Sequence, residues 1–315
     1  MNRRMFTASI ASALAFTRAS DAAGPVYASD VVGKWRDWGE NDDAFANKFA
    51  PDRAEQKQFI ANVRKLAEPL RKHPAYVNPI GYEIAPYCGI RGDYRDKPPR
   101  PIPGHLTLQT FFYYRRNGKV EVNGESQVSL RILINSLRAM LGPKLVEDET
   151  DTLCFAPTAR DNNVGVHSRW STGWVASKRS APVFVPATQE RLLRAWIYDT
   201  KKQVRRGVPD QWQRKTLDEY ESALAKLSSA ERQAPSFVSD KNWKTLAREG
   251  AADAKAIVTA NPDFYDPTLP RTALQVLCFP GIAESFEGAN EPPVKALRQL
   301  IYRKMNYPAL EALLS

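Results

Sequence analysis

His105-Leu-Thr-Leu-Gln-Thr-Phe-Phe-Tyr-Tyr-Arg115, followed by Arg116-Asn117-Gly118-Lys119-Val120-Glu121-Val122, decides the fold class of this chain. The first run is dominated by aromatic and β-branched side chains, which suit a pleated, half-buried strand. Asn117-Gly118 is the dipeptide of a tight hairpin turn, because both residues tolerate positive φ. A second strand at 119–122 follows, and Asn123-Gly124 marks the next turn. Val128, Leu130, Ile132 and Ile134 then alternate with Ser129, Arg131, Leu133 and Asn135, again a period of two. Upstream, Tyr82-Glu83-Ile84 reads as a strand. Lys97-Pro-Pro-Arg-Pro-Ile-Pro-Gly104 reads as an exposed loop, since proline lacks the N–H that a ladder requires.

Working outward, the period changes to that of helices. Phe59, Val63, Leu66 and Leu70 form the apolar stripe of a helix over 51–72, with Arg53, Lys57, Arg64, Lys65, Arg71 and Lys72 solvating its other face. Pro74 and Asn78-Pro79 end it, and His73 is expected as a solvated residue at its exit. Short strands are expected at 153–156, 164–167 and 182–185. Thr188 caps a helix that buries Leu192, Leu193, Trp196, Ile197 and Thr200 and stops near Gly207. Further helices are expected at 210–232, 242–259 and 294–304. Segments around Trp35, Trp38, Phe45 and Phe49 read as irregular chain packing its aromatics. The class is α+β: an antiparallel meander sheet in the first half with helices packed on it, and a helical C-terminal half. Residues 23–315 read as a single domain with a possible sub-boundary near 187.

The first 22 residues stand apart. Arg3-Arg4-Met5-Phe6 precedes a short Ala- and Ser-rich apolar run, then Arg18 and the small-residue exit Ser20-Asp21-Ala22. This resembles a signal peptide of the twin-arginine type, with Arg3, Arg4 and Phe6 as its core. The resemblance implies export to the periplasm or beyond, with cleavage before Ala23. The apolar run is too short to span a bilayer, and no transmembrane segment is expected in the mature chain.

Of 315 residues, 43% are hydrophobic and 25% charged, which excludes a disordered tail. The formal charge of +10 becomes +8 once three arginines and Asp21 leave with the signal. Outside the cytoplasm such a balance favours anionic envelope components, and the export address argues against nucleic acid. Cys88, Cys154 and Cys278 have no metal-knuckle spacing. They read as buried small hydrophobes, or as one disulfide with three possible pairings.

A search for reaction chemistry finds no Gly-x-Ser-x-Gly, His-Glu-x-x-His or phosphate-cradling loop, and no cofactor is expected. Glu83, His105 and His167 are the candidate catalytic residues, able to form an acid–base or two-His-one-carboxylate site if their strands are neighbours. Arg169, Trp170 and Trp174 are candidate ligand contacts, the indoles offering flat faces to sugar rings. Asp93, Asp96, Asp148, Glu149 and Asp151 read as solvated charges.

His73-Pro-Ala-Tyr-Val-Asn-Pro-Ile-Gly-Tyr-Glu83, Val183-Phe-Val-Pro-Ala-Thr-Gln-Glu-Arg-Leu-Leu193, Asn261-Pro-Asp-Phe-Tyr-Asp-Pro-Thr-Leu-Pro270 and Asn306-Tyr-Pro-Ala-Leu-Glu-Ala-Leu-Leu-Ser315 resemble a loosely defined group of exported bacterial proteins of unassigned function. The resemblance carries no catalytic residues with it. Three functions stay open: binding an anionic or glycan envelope component, hydrolysing a polymer at a His/carboxylate site, or serving as an envelope scaffold.

Overall fold

The computed structural model describes residues 26–40, 51–91, 101–148, 151–158, 167–170, 173–205, 211–280 and 292–315, with backbone only at 40, 167–170, 204–205 and 212. Arg3, Arg4, Phe6, Phe45, Phe49, Asp93, Asp96, Glu149 and Val164 lie outside these residues.

In chain order the elements are β1 (Val26–Tyr27), β2 (Gly39–Glu40), α1 (Arg53–Lys65), α2 (Ala67–Arg71), β3 (Tyr82–Ile90), β4 (Gly104–Arg116), β5 (Lys119–Val122), β6 (Val128–Ile134), β7 (Lys144–Glu147) and β8 (Thr152–Phe155). There follow β9 (His167–Trp170), β10 (Gly173–Ala176), β11 (Phe184–Pro186), α3 (Gln189–Arg205), α4 (Gln211–Lys226), α5 (Ser229–Gln233), β12 (Phe237–Ser239), β13 (Ala254–Ala260), β14 (Leu277–Pro280), α6 (Pro292–Arg303) and α7 (Tyr307–Glu311). With 33% helix and 30% strand, the chain is α+β.

The long aromatic run is β4, and Asn117 (φ 51°) and Gly118 (φ 75°) turn it into β5 as the dipeptide requires. A nine-stranded sheet runs β2-β3-β4-β6-β14-β10-β9, with β1 and β5 flanking the far end of β4. Only β2 pairs in parallel within it. A five-stranded sheet runs β11-β13-β8-β7, with β12 also on β13. One face of the large sheet presents Ile84, Leu106, Leu108, Leu130 and Ile132 to Phe59 and Val63 of α1 and to Leu297 and Ile301 of α6. Leu133, Val175 and Cys278 gather with Phe264 in another core. The smaller sheet packs Leu153 and Ile257 against Leu192 and Trp196 of α3 and Tyr220 of α4.

Asp52 opens α1 with a capping box, its carboxylate accepting from Ala54 and Glu55 N–H at 2.8 Å. The expected helix over 51–72 is broken at Leu66 because Pro69 has no N–H to donate to the turn before it.

Three expectations are corrected. Residues 242–259 are not a helix: the segment ends in β13, and Gly250 at φ 79° stops helical propagation before it. Ala256-Ile257-Val258-Thr259 is β-branched and pairs with both β8 and β11, so sheet burial overrides the alanine content. The span 210–232 is two helices, because Ser228 starts a fresh capping box with Glu231 at α5. The C-terminal half therefore contains β12, β13 and β14 as well as helices. β14 inserts between β6 and β10, so the sheet is not a purely local meander. No helix among the described residues is long and apolar enough to cross a membrane.

Candidate functional site

The register separates the candidate catalytic residues. Glu83 pairs with Phe111 and His105 with Gly89, so the two lie six residues apart along the β3–β4 ribbon. At about 3.3 Å per residue that is roughly 20 Å. His167 is on β9, four strands from β4, which at about 4.8 Å per spacing puts their backbones roughly 19 Å apart along the sheet. His105 shares a register row with Leu133, Cys278 and Val175, whereas His167 pairs with Ala176 in the next row. The described backbone does not bring the three residues to one cleft. Among the described residues no three His, Cys, Asp or Glu side chains cluster as a metal site.

Glu83 has a structural role. It is 6% exposed and accepts from Arg36 Nε at 2.6 Å and Tyr113 OH at 2.7 Å, with Lys34 Nζ at 3.8 Å. Arg36 also stacks over Phe111 at 4.3 Å. Burial works to raise the Glu83 pKa, but hydrogen bonds from Arg36 and Tyr113 and the charges of Arg36 and Lys34 outweigh it. The carboxyl is held below its usual range. Tyr113 is pushed up to about 12, first by burial and then by Glu83. A depressed carboxylate saturated by donors is a poor general acid or base at neutral pH.

The aromatic candidates are also reassigned. Trp174 is 9% exposed, packed in the large core and stacked on Tyr307 at 5.4 Å, so it offers no face to a sugar ring. Arg169 pairs with Trp174 and Trp170 with Gly173 across β9 and β10, which fixes their backbone positions. His73 is 4% exposed rather than solvated, because the chain after α2 turns beneath α6. Asp148 and Asp151 are not solvated charges either: Asp148 pairs with Arg191 at 2.7 Å and Asp151 with Arg138 at 2.5 Å. Cys88, Cys154 and Cys278 are all buried free thiols. Cys88 and Cys278 belong to different cores and Cys154 to the smaller sheet, so no disulfide forms. Burial raises Cys154 to about 11 and Cys278 to about 12.

What the structure does assemble is cationic. A groove of 790 Å³ runs along α1 and α2 beside Trp38, lined by Arg53, Lys57, Arg64, Lys65 and Arg71, with Glu68 the one lining carboxylate among the described residues. The helical period explains it: 53, 57, 60, 64, 68 and 71 fall on one stripe, rotated away from the buried Phe59 and Val63. Arg64 lies over Trp38 at 5.3 Å and Arg71 over Trp35 at 4.1 Å. Trp35 is itself held by its Nε1 donating to the Tyr76 carbonyl at 2.9 Å. Among the described residues, Arg53, Lys57 and Lys65 have no carboxylate within ion-pair distance. Glu55, two residues from both Arg53 and Lys57, is drawn off to Arg271 at 3.1 Å. α6, beside them on the same face of the sheet, adds Lys295, Arg298 and Arg303 and carries no acid.

A second groove of 840 Å³ lies between α3 and α4, but its charges are internally matched. Arg191 pairs with Asp148, Arg194 and Arg232 with Glu190, and Lys201 with Glu221 at 2.7 Å. An incoming anion would compete there with carboxylates already in place; at Arg53, Lys57 and Lys65 on α1 no described carboxylate is within ion-pair distance. The sequence showed these α1 cations only as a solvating face, because their pairing depends on neighbours remote in the chain. Comparison with family models, with curated proteins and with solved structures finds no match.

Proposed function

We propose that this chain is an exported protein that binds an acidic polymer of the cell envelope along the groove of α1 and α2. The observation that supports the reading is a cationic stripe in which Arg53, Lys57 and Lys65 have no carboxylate within ion-pair distance among the described residues, set beside indole faces, whereas the groove between α3 and α4 is charge-compensated. Cations that have no internal partner retain their field outside the protein and attract polyanions over about a Debye length. A groove rather than a closed pocket suits a chain-like ligand. The export part of the reading rests on the Arg3-Arg4-Met5-Phe6 pattern.

Binding of the purified protein to polygalacturonate, with neutral dextran as control, tests the proposal by titration calorimetry at two salt concentrations. The combined variant Arg53→Glu, Lys57→Glu, Lys65→Glu changes exposed side chains only and should fold normally. Its affinity should fall by about 100-fold or more, at roughly 1 kcal/mol for each cation removed near an anionic surface. Reversal of Lys201 and Lys202 on α3 should leave affinity unchanged. Equal binding by the wild type and the α1 variant, or equal binding of dextran, would overturn the reading.

A further inference from the structure

At the other end of the helical layer, a cavity of 190 Å³ lies where α2 ends and α6 passes into α7. It is lined by Lys72, His73, Lys304 and Asn306 among apolar Leu70, Met305 and Leu310. Each of these polar side chains can present a donor or a cation, and no carboxylate among the described residues lines the cavity. Neither Lys72 nor Lys304 has an ion-pair partner among the described residues. Asn306 uses its Oδ1 to accept from Ala309 N–H at 3.2 Å, which leaves its NH₂ group as a donor.

His73 is the decisive residue. Its Nδ1 accepts from the Ala75 N–H at 3.0 Å, so the neutral ring carries its hydrogen on Nε2. Nε2 is buried and has no acceptor in hydrogen-bonding geometry. The Ile301 carbonyl lies near enough to raise the ring's proton affinity somewhat, but burial outweighs it and the pKa lies below the usual value. An orphaned buried N–H costs about 1–3 kcal/mol, which an acceptor brought by a ligand would recover. A water molecule takes about 30 Å³ of liquid, so the cavity has room for a compact group.

We propose that this cavity binds a compact oxyanion of the phosphate class, received by His73 Nε2–H and the Lys72 and Lys304 ammonium groups. The site is separate from the α1 groove, with which it shares no lining residue. An anion here favours the imidazolium, so affinity rises as pH falls through the His73 pKa, below 6.5. The other ionisable groups near the ring are Lys72, Lys304, the Tyr76 and Tyr302 phenols, which burial raises, and Glu311, which follows Leu310 on α7.

The test follows the His73 ring signals by NMR while inorganic phosphate is titrated into the full chain at constant ionic strength set with chloride. Saturable movement of those signals and an upward shift of the His73 pKa are expected. Lys72→Ala and Lys304→Ala, both at exposed positions, should each weaken the response about fivefold, the scale of one exposed ion pair. The α1 variant Arg53→Glu, Lys57→Glu, Lys65→Glu should respond like wild type, which separates this site from the polymer groove. Glycerol 3-phosphate forms a second arm: a matching response means an esterified phosphate fits, and no response restricts the site to the free ion. His73 signals that do not move with phosphate, or that move in both lysine variants as they do in the wild type, would overturn the proposal.

Discussion

Glu83 sits near the start of β3 and takes two hydrogen bonds and two cations into one buried cluster. Arg36 reaches it from 47 residues earlier in the chain, held over Phe111 by its own guanidinium face. Arg36→Ala should lower the unfolding free energy by about 2 kcal/mol at pH 7, the scale of a hydrogen bond to a charged group. Because the folded pKa of Glu83 lies below its ordinary 4.5, the cluster's contribution is complete above that value. It is lost as pH falls through the folded pKa. The gap between wild type and variant in urea denaturation should therefore close in acid, and parallel pH profiles would refute the assignment. Nothing in Tyr82-Glu83-Ile84 announces this pairing. A strand position tells which face a side chain takes, and the partner on that face comes from another part of the chain.

Elements were legible where a local rule acts alone. The spacing of Phe59, Val63, Leu66 and Leu70 marks α1 and α2, and Asp52 with Glu55 supplies the start that the structure uses. Asp52→Ala should cost about 1 kcal/mol by removing the acceptor for two orphan N–H groups. A urea midpoint unchanged from wild type would show that the cap contributes nothing. The Asn117-Gly118 hairpin was equally local, since its turn depends on two φ angles. Residues 242–259 were misleading because alanine, lysine and arginine favour helix while the last residues are needed between two strands. Sheet pairing decided that contest, and no window of sequence contains β8 or β11 alongside β13.

At the scale of the whole molecule, the positive charge is distributed unevenly. α1, α2 and α6 cover one face of the nine-stranded sheet, and their cations outnumber their acids, whereas α3 and α4 tie theirs into ion pairs. Cys88, Cys154 and Cys278 are buried and form no disulfide, so none needs an oxidising compartment to reach its final state. If the twin-arginine reading is right, Arg3→Lys with Arg4→Lys should leave the protein in the cytoplasmic fraction. Undiminished export of that double variant would remove the twin-arginine route. The sequence alone determined the α+β class, the hairpin, the Thr188 helix start and the basic surplus, since each follows from periodicity, turn chemistry or composition within a short window. Only the tertiary structure decided that Glu83, His105 and His167 stand apart, that Trp174 is core, and that Arg53, Lys57 and Lys65 have no carboxylate within ion-pair distance among the described residues. Those outcomes depend on which remote segments share a face, and β14 entering between β6 and β10 is what sets that arrangement.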